Sequence, residues 1–241
     1  MSTSKADIVP FPAPGEKYLD FTSADARDYD RQVYALLPGY RRMLRTIVDF
    51  LKFNDIHGEI TDLGAGTGNL ARLILDEISD VSVRLVDFST AMCERAKEKL
   101  EGYENRSEFH CEDIEEISFP SNQSVVVSTF TLHELHPGQR CDTLVNGTAS
   151  LRRGGYFFVG DYYYPKTAEE RRLFSESTRH HAIATGGVCH AEIDDELSAH
   201  INNSTLPESP WVGCERDMPP NTTLLFADAG VKLWFSQITP E

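Results

Sequence analysis

Glu59-Ile60-Thr61-Asp62-Leu63-Gly64-Ala65-Gly66-Thr67-Gly68-Asn69-Leu70 is the stretch on which the reading of this chain turns. A short β-prone run enters a glycine turn, and Leu70, Leu73, Ile74 and Ile78 then recur at helical spacing. The pattern predicts strand, turn and helix in succession. Glycine is needed where a turn takes unusual backbone angles or a ligand approaches the main chain, and the helix start beyond it offers free N–H groups to a negative ligand group. Two cofactor classes use such a turn. The dinucleotide fingerprint wants glycines at the first, third and sixth positions, whereas here they stand at the first, third and fifth, with Asn69 at the sixth. Asp62 argues the same way, because a desolvated carboxylate at the mouth of the turn would repel a pyrophosphate and suit an ammonium.

Asp62-Leu63-Gly64-Ala65-Gly66-Thr67-Gly68 resembles motif I of the class I S-adenosylmethionine-dependent methyltransferases, whose cofactor carries an amino-acid end and a ribose but no phosphate. Further matches follow at suitable distances. Val81 to Val86 reads as a second strand with Asp87 at its end, and open α/β sheets bind ligands beyond the carboxyl ends of their strands. Asp87 would therefore sit beside the turn, able to accept both ribose hydroxyls. Ser89 is a good N-cap for a helix carrying Met92, Cys93, Ala96 and Leu100 on one face. Ser107 to Cys111 leads to Asp113-Ile114, the position at which the resemblance places the adenine amine. The resemblance implies S-adenosylmethionine as cofactor, held by Asp62, Gly64, Ala65, Gly66, Asp87, Phe88, Met92, Asp113, Ile114 and Thr129. Each acid also has a plain reading as a turn or capping residue.

At 241 residues and 40% hydrophobic content the chain suits one α/β domain with an appended lid. A net charge of -15 opposes a polyanionic partner, since basic residues must replace counterions along a phosphate backbone, so nucleic acid is excluded as a substrate. The five cysteines include no Cys-X-X-Cys pair, and reduced thiols in a cytoplasmic protein are the simplest reading. The first residues lack an apolar leader and no apolar run approaches membrane length.

In chain order, residues 1–53 read as a proline-marked arm (Pro10, Pro12, Pro14) and two cap helices broken at Pro38-Gly39. Tyr18, Tyr29, Tyr34 and Tyr40 crowd this part; Tyr29 and Tyr34 are taken as substrate-facing, against a packing role at a helix boundary. The segment from Asp28 to Tyr40 also resembles the leading segment of the branch that includes the carboxy-S-adenosylmethionine synthases. Residues 54–161 form the cofactor-binding core, with a fourth strand at 124–130, a helix announced by Pro137, and a fifth strand from Tyr156 to Asp161. Residues 162–218 are read as a lid or substrate insertion, and 219–241 as a C-terminal helix, Asn221 to Ala229, and a strand, Val231 to Ser236. A methyltransferase sheet usually ends in an antiparallel hairpin, so its last strand would be missing, borrowed from the lid, or supplied by a second copy in a homodimer.

Methyl transfer needs a general base only if the acceptor must lose a proton. His133 and Glu134, in the stretch after the fourth strand, are the catalytic candidates: a histidine with an ordinary pKa takes a proton at neutral pH, and a neighbouring carboxylate can orient it or hold a cationic substrate. The alternative is that Glu134 caps the next helix while His133 packs under the lid. Tyr162, Tyr163 and Tyr164 leave the fifth strand with alternate rings on opposite sides, and rings on the pocket side could stack on an acceptor or hold an amine. His180, His181 and His190 follow no zinc spacing, and no metal is expected. The expected fold is a doubly wound, Rossmann-like α/β sheet with N-terminal helices and a lid after the fifth strand. The expected activity is methyl transfer to N, O or C of a small molecule, as in specialised metabolism. Two rivals are carboxy-S-adenosylmethionine synthesis and a non-catalytic protein that keeps the fold.

Overall fold

The computed structural model describes residues 23–162, 167–185, 210–211, 214, 222–228 and 231–238. The quoted stretch folds as read: β1 (Gly58–Leu63) runs through the glycine turn into α3 (Asn69–Glu77). Around β1 stands a seven-stranded sheet in the spatial order β3-β2-β1-β4-β5-β7-β6. Its other strands are β2 (Val81–Val86), β3 (Ser107–His110), β4 (Gln123–Thr129), β5 (Leu151–Tyr162), β6 (Thr222–Asp228) and β7 (Val231–Gln237). Strands β1 to β5 pair in parallel, and β7 lies antiparallel between β5 and β6. Parallel pairs need long crossovers, and α3, α4 (Thr90–Lys99) and α5 (Pro137–Ser150) supply three of them. Helices α1 (Ser23–Leu36) and α2 (Tyr40–Phe53) precede the sheet, divided at Pro38-Gly39 as the sequence predicts, and α6 (Ala168–Thr185) follows β5.

Both faces of the sheet are covered, and residue parity decides which side chain goes where. Ile60, Val83, Leu85, Val125, Val127 and Phe158 join one buried cluster with Met43, Leu44, Ile47, Val48 and Leu51 of α2. Their strand neighbours Val86, Val126, Phe157 and Val159 join a second cluster with Leu132, Leu135, Leu144 and Trp211. The strand order reverses between β1 and β4, which opens a crevice at the carboxyl ends of these strands, and α1 packs against α4 beside it.

Two expectations are corrected. Residues 222–228 form a strand, not the helix expected over Asn221 to Ala229, and they are themselves the hairpin strand whose source the sequence left open among absence, the lid and a second copy. The β-branched pair Thr222-Thr223 is costly in a helix, and the segment pairs with β7 from Thr222↔Ser236 to Asp228↔Val231. The second concerns the thiols. Cys93 on α4 and Cys111 just beyond β3 are joined as a disulfide, with Cα atoms 6.2 Å apart, while Cys141 and Cys214 are free. Neighbouring strands β2 and β3 deliver the two to the same edge of the sheet, a proximity invisible in a separation of 18 residues. The proline-marked arm, Tyr18, Tyr163, Tyr164, His190 and the ring of Tyr162 lie outside the described residues. No described helix is long and apolar enough to cross a membrane.

Ile47 is fully buried under the sheet, so Ile47→Ala lowers the unfolding free energy by about 2–5 kcal/mol in urea denaturation. Phe53, on the same helix but 89% exposed, tolerates alanine within about 0.5 kcal/mol. Equal losses at the two positions would contradict the packing of α2.

Candidate active site

The turn after β1 needs its glycines for steric reasons. Gly64, Gly66 and Gly68 hold φ of 67°, 53° and 77°, a region costly for side-chain-bearing residues, and a Cβ on Gly64 would collide with the Thr131 side chain. The Thr131 hydroxyl lies 3.3 Å from the Gly64 carbonyl and 3.1 Å from that of Thr129, closing the turn against the end of β4. The backbone N–H groups of Gly64 and Ala65 donate to the Val86 carbonyl at 2.8 and 3.0 Å. Asp87 completes the join: its Oδ2 accepts from Gly66 N–H at 2.7 Å and its Oδ1 from Ser89 N–H at 3.0 Å. A carboxylate has about four acceptor positions, and these two backbone donors fix the plane in which Asp87 presents its oxygens. Ser89 caps α4 as expected, accepting from Met92 N–H at 3.4 Å.

The other expected cofactor residues fall around this edge. Met92 and Ile114 are buried, Thr129 is half-buried and Phe88 is exposed. Asp113 uses Oδ1 to accept from Glu115 N–H at 3.0 Å, which is its capping reading realised for one oxygen. Asp62 differs from all of them: it is 1% exposed, and its Oδ1 is buried without a hydrogen-bond partner. Burial, and then the neighbouring Asp87 charge, push its pKa up to about 7. A buried orphan acceptor is rare in folded proteins and marks a place where a donor belongs. An ammonium fits it; a phosphate does not.

Helix α1 is fastened over the turn by residues that the sequence reading missed. Asp30 pairs with Lys99 of α4 at 2.7 Å and accepts from the Thr67 hydroxyl at 2.6 Å and Asn69 Nδ2 at 2.9 Å. Lys99 also reaches Thr67 Oγ1 at 2.9 Å and Asn69 Oδ1 at 2.6 Å. Burial would raise the Asp30 pKa, and the Lys99 and Thr67 hydrogen bonds more than reverse it, so the carboxyl titrates below its ordinary range. Asn69, which breaks the dinucleotide fingerprint, is the residue that receives this latch and also donates to the Tyr40 hydroxyl at 3.2 Å. Tyr29 comes with α1 into a ring of acids: its phenol is pushed far up, first by burial and then by the charges of Asp87, Asp30 and Asp161. Tyr34 packs edge-on against Tyr40 at 5.2 Å, and Tyr40 lies 5.5 Å from Phe130. Phe130 itself holds a φ of 54° at the end of β4, strain of a kind that collects at functional sites.

His133 stands on the 3₁₀ turn Leu132–Glu134, after β4. Its Nδ1 meets Asp161 Oδ1 at 2.6 Å, its backbone N–H donates to Asp161 Oδ2 at 3.1 Å, and its Nε2 meets Glu134 Oε1 at 3.0 Å. Asp161, near the end of β5 and 3% exposed, was read only as the end of a strand; its adjacency to His133 depends on β4 pairing with β5. Burial alone would lower the His133 pKa, but Asp161 and then Glu134 outweigh it and raise the value to about 10. At neutral pH the ring therefore already carries the proton that a histidine of ordinary pKa would be free to accept. Glu134 does not cap the next helix; His136 does, accepting from Gly138 N–H at 3.4 Å while Gln139 answers its N–H at 2.9 Å. His181 on α6 lies 3.1 Å from the Tyr34 carbonyl, a docking contact of α6 on α1.

Comparison with known proteins bears on the family and the fold. Residues 60–155 match the methyltransferase domain family. The carboxy-S-adenosyl-L-methionine synthase of Vibrio cholerae is 30% identical over 206 residues, covering 83% of this chain and 82% of that one. The enzyme of the same name from Campylobacter lari is 28% identical over 152 residues, and the match spans 64% of its length, just under two thirds. Among solved structures, a Methanococcus maripaludis protein assigned to the S-adenosyl-L-methionine-dependent methyltransferases superposes with a TM-score of 0.58 at 15% identity, covering 95% of this chain and 99% of that one.

The titrations give a signed prediction for the ligand-free protein. His133 has a folded pKa above its unfolded value of 6.5, so its contribution to stability is complete below that pH and is lost as pH rises toward 10. Asp62, raised from 3.8 to about 7, loses stability over that lower interval in the same direction. Thermal unfolding followed from pH 5 to 10 should show a falling midpoint, with the upper part of the slope flattened in His133→Gln. A midpoint that climbs over this range would refute both assignments. A buried acid left without a donor, a glycine turn that departs from the dinucleotide fingerprint, and a relative 30% identical over most of both chains converge on one family: the chain belongs to the class I S-adenosylmethionine-dependent methyltransferases, and S-adenosylmethionine is its cofactor.

Proposed function

We propose that this enzyme methylates a small molecule, and that the cofactor's amino-acid end is held at Asp62 and the Gly64–Gly68 turn, its ribose at Asp87, and its adenine beside Asp113 and Ile114. The observation that carries the reading is the dry, unpartnered Asp62 Oδ1. Bound cofactor supplies a methyl group on a sulfonium, open to in-line displacement by an acceptor. The protein's part is to bind, orient and exclude water. Tyr29 and the Asp30–Lys99 latch cover the turn, which favours a near-attack arrangement over a solvated one. His133, fixed through Nδ1 by Asp161, presents an imidazolium rather than a ready base, so its role is to orient the acceptor as a donor and to stabilise negative charge there. Glu134, 62% exposed, is the group that can turn aside to admit a ligand to Nε2. Tyr34 and the run Tyr162 to Tyr164 remain the proposed walls for the acceptor.

The second reading is carboxy-S-adenosylmethionine synthesis, supported by the name and extent of the Vibrio cholerae relative and by a held cation, His133, where an added carboxylate would need one. Mass spectrometry of the ligand that copurifies with the protein separates the two: S-adenosylmethionine or its demethylated product supports the first, and a carboxylated donor supports the second.

Two binding measurements test the cofactor assignment. Asp87→Ala should weaken S-adenosylmethionine about ten- to a hundredfold by calorimetry, the range expected for hydrogen bonds to a charged group; wild-type affinity in that variant would contradict the placement. Ionisation of Asp62 is needed to meet an ammonium, so affinity should rise from pH 6 to pH 8 and lose that dependence in Asp62→Asn.

A further inference from the structure

Cys93 and Cys111 come from two different elements and meet at the edge that carries the proposed cofactor contacts. Cys93 stands in the first turn of α4 and is buried; Cys111, directly after β3, is exposed to solvent. Their Cα atoms lie 6.2 Å apart, within the span that a disulfide bridges without backbone movement, and the structure joins them. Cys93 also has a second place to turn. Its sulfur lies 3.4 Å from the Asp87 carbonyl oxygen, an acceptor that a thiol S–H can serve and a disulfide sulfur cannot. Cys93 therefore has a partner in either oxidation state: Cys111 when oxidised, the Asp87 backbone when reduced.

Both ends of the link bear on residues of the proposed cofactor site. Asp87 N–H donates at 3.1 Å to the carbonyl of His110, the residue before Cys111, and Asp87 Oδ2 holds the Gly66 N–H of the glycine turn. Only Glu112 separates Cys111 from Asp113, and Ile114 beyond it is buried. The segment 111–113 belongs to no helix or strand, so the covalent link restricts its path where no ladder of backbone hydrogen bonds does.

We propose that Cys93 and Cys111 are a reversible thiol–disulfide pair through which the redox state of the surroundings sets cofactor affinity, with Cys111 the entry point and Cys93 the resolving thiol. Exposure decides the order, since the accessible sulfur meets an external reagent first. The Cys111 thiolate attacks a small disulfide such as oxidised glutathione, forming a mixed disulfide and releasing one thiolate. The Cys93 thiolate then attacks the Cys111 sulfur and releases the second. Two protein thiols are oxidised, one small disulfide is reduced, and the two protein thiol protons end on the two released thiols. The closed form holds the start of α4 and the Asp113 loop at a fixed separation, so a ligand has less to order and binds more tightly. The effect on affinity rests on the cofactor placement proposed above; the exchange chemistry does not.

The test equilibrates the whole chain with reduced or oxidised glutathione and reads it by peptide mapping, thermal shift and calorimetry with S-adenosylhomocysteine. Oxidation should give a Cys93–Cys111 cross-link and raise the melting temperature by about 6–12 °C, the shift expected of a closed loop with a sequence separation of 18. It should also tighten S-adenosylhomocysteine about three- to tenfold, the gain from ordering a short loop in advance. Cys93→Ser, which keeps a donor for the Asp87 carbonyl, should accumulate glutathione on Cys111. Cys111→Ser should take up none at the buried Cys93, and its affinity should stay at the reduced wild-type value in either buffer. A redox response that persists in Cys111→Ser belongs to the other cysteines and would overturn the proposal, as would equal affinity of the two wild-type states or the absence of the cross-link. A cross-linked protein that binds no S-adenosylhomocysteine in either state would instead remove the cofactor placement and the affinity effect, and leave the exchange chemistry standing.

Discussion

A carboxylate kept out of water at the mouth of a glycine turn is the constraint to which the rest of this molecule answers. Asp62 is carried on a central parallel strand, so no nearby solvent can satisfy it, and Asp87 from the next strand adds like charge. The arrangement stores an unfavourable interaction in the ligand-free protein, and in the proposed placement of the cofactor an ammonium relieves it. Positive φ at three glycines then lets the backbone close around that point, and Thr131 fills the space that a Cβ on Gly64 would need.

Closure from above is electrostatic as much as apolar. Lys99 and Asp30 are partly buried, and each shares its hydrogen bonds with Thr67 and Asn69, so the ion pair is part of a network and is worth more than an exposed pair. The disulfide between Cys93 and Cys111 ties the first turn of α4 to the loop before Asp113. Two independent devices therefore hold the edge on which the proposed cofactor contacts lie: the latch on the α1 side and the disulfide on the β3 side.

Much of the core was legible because its information is local. Alternating or continuous apolar runs gave β1, β2, β4 and β5, and α2 and α3 followed from helical periodicity, because the buried side of each element repeats along the chain. The last element was misread for the opposite reason: Thr222 to Asp228 has weak periodicity of its own and is a strand because β7 offers it a partner. Asp161 and His133 are 28 residues apart and meet only because β4 pairs with β5. Asp30 and Lys99 meet only because α1 folds back over α4. His133 was found from its place after the fourth strand, but its charge state was not, since that depends on carboxylates whose positions the pairing of strands sets.

The order of residues by itself determined the strand–turn–helix unit, the failure of the dinucleotide pattern, the acids at successive strand ends and the family they indicate. Steric limits on backbone angles and the periodicity of burial act within a dozen residues, and a sequence carries them openly. Tertiary structure decided which charges are paired and which are left over, in the latch on α1, the protonated His133 and the orphan Asp62 oxygen, and it brought Cys93 to Cys111. Electrostatic energy depends on distance and on exclusion of water, and neither exists until distant parts of the chain have packed together.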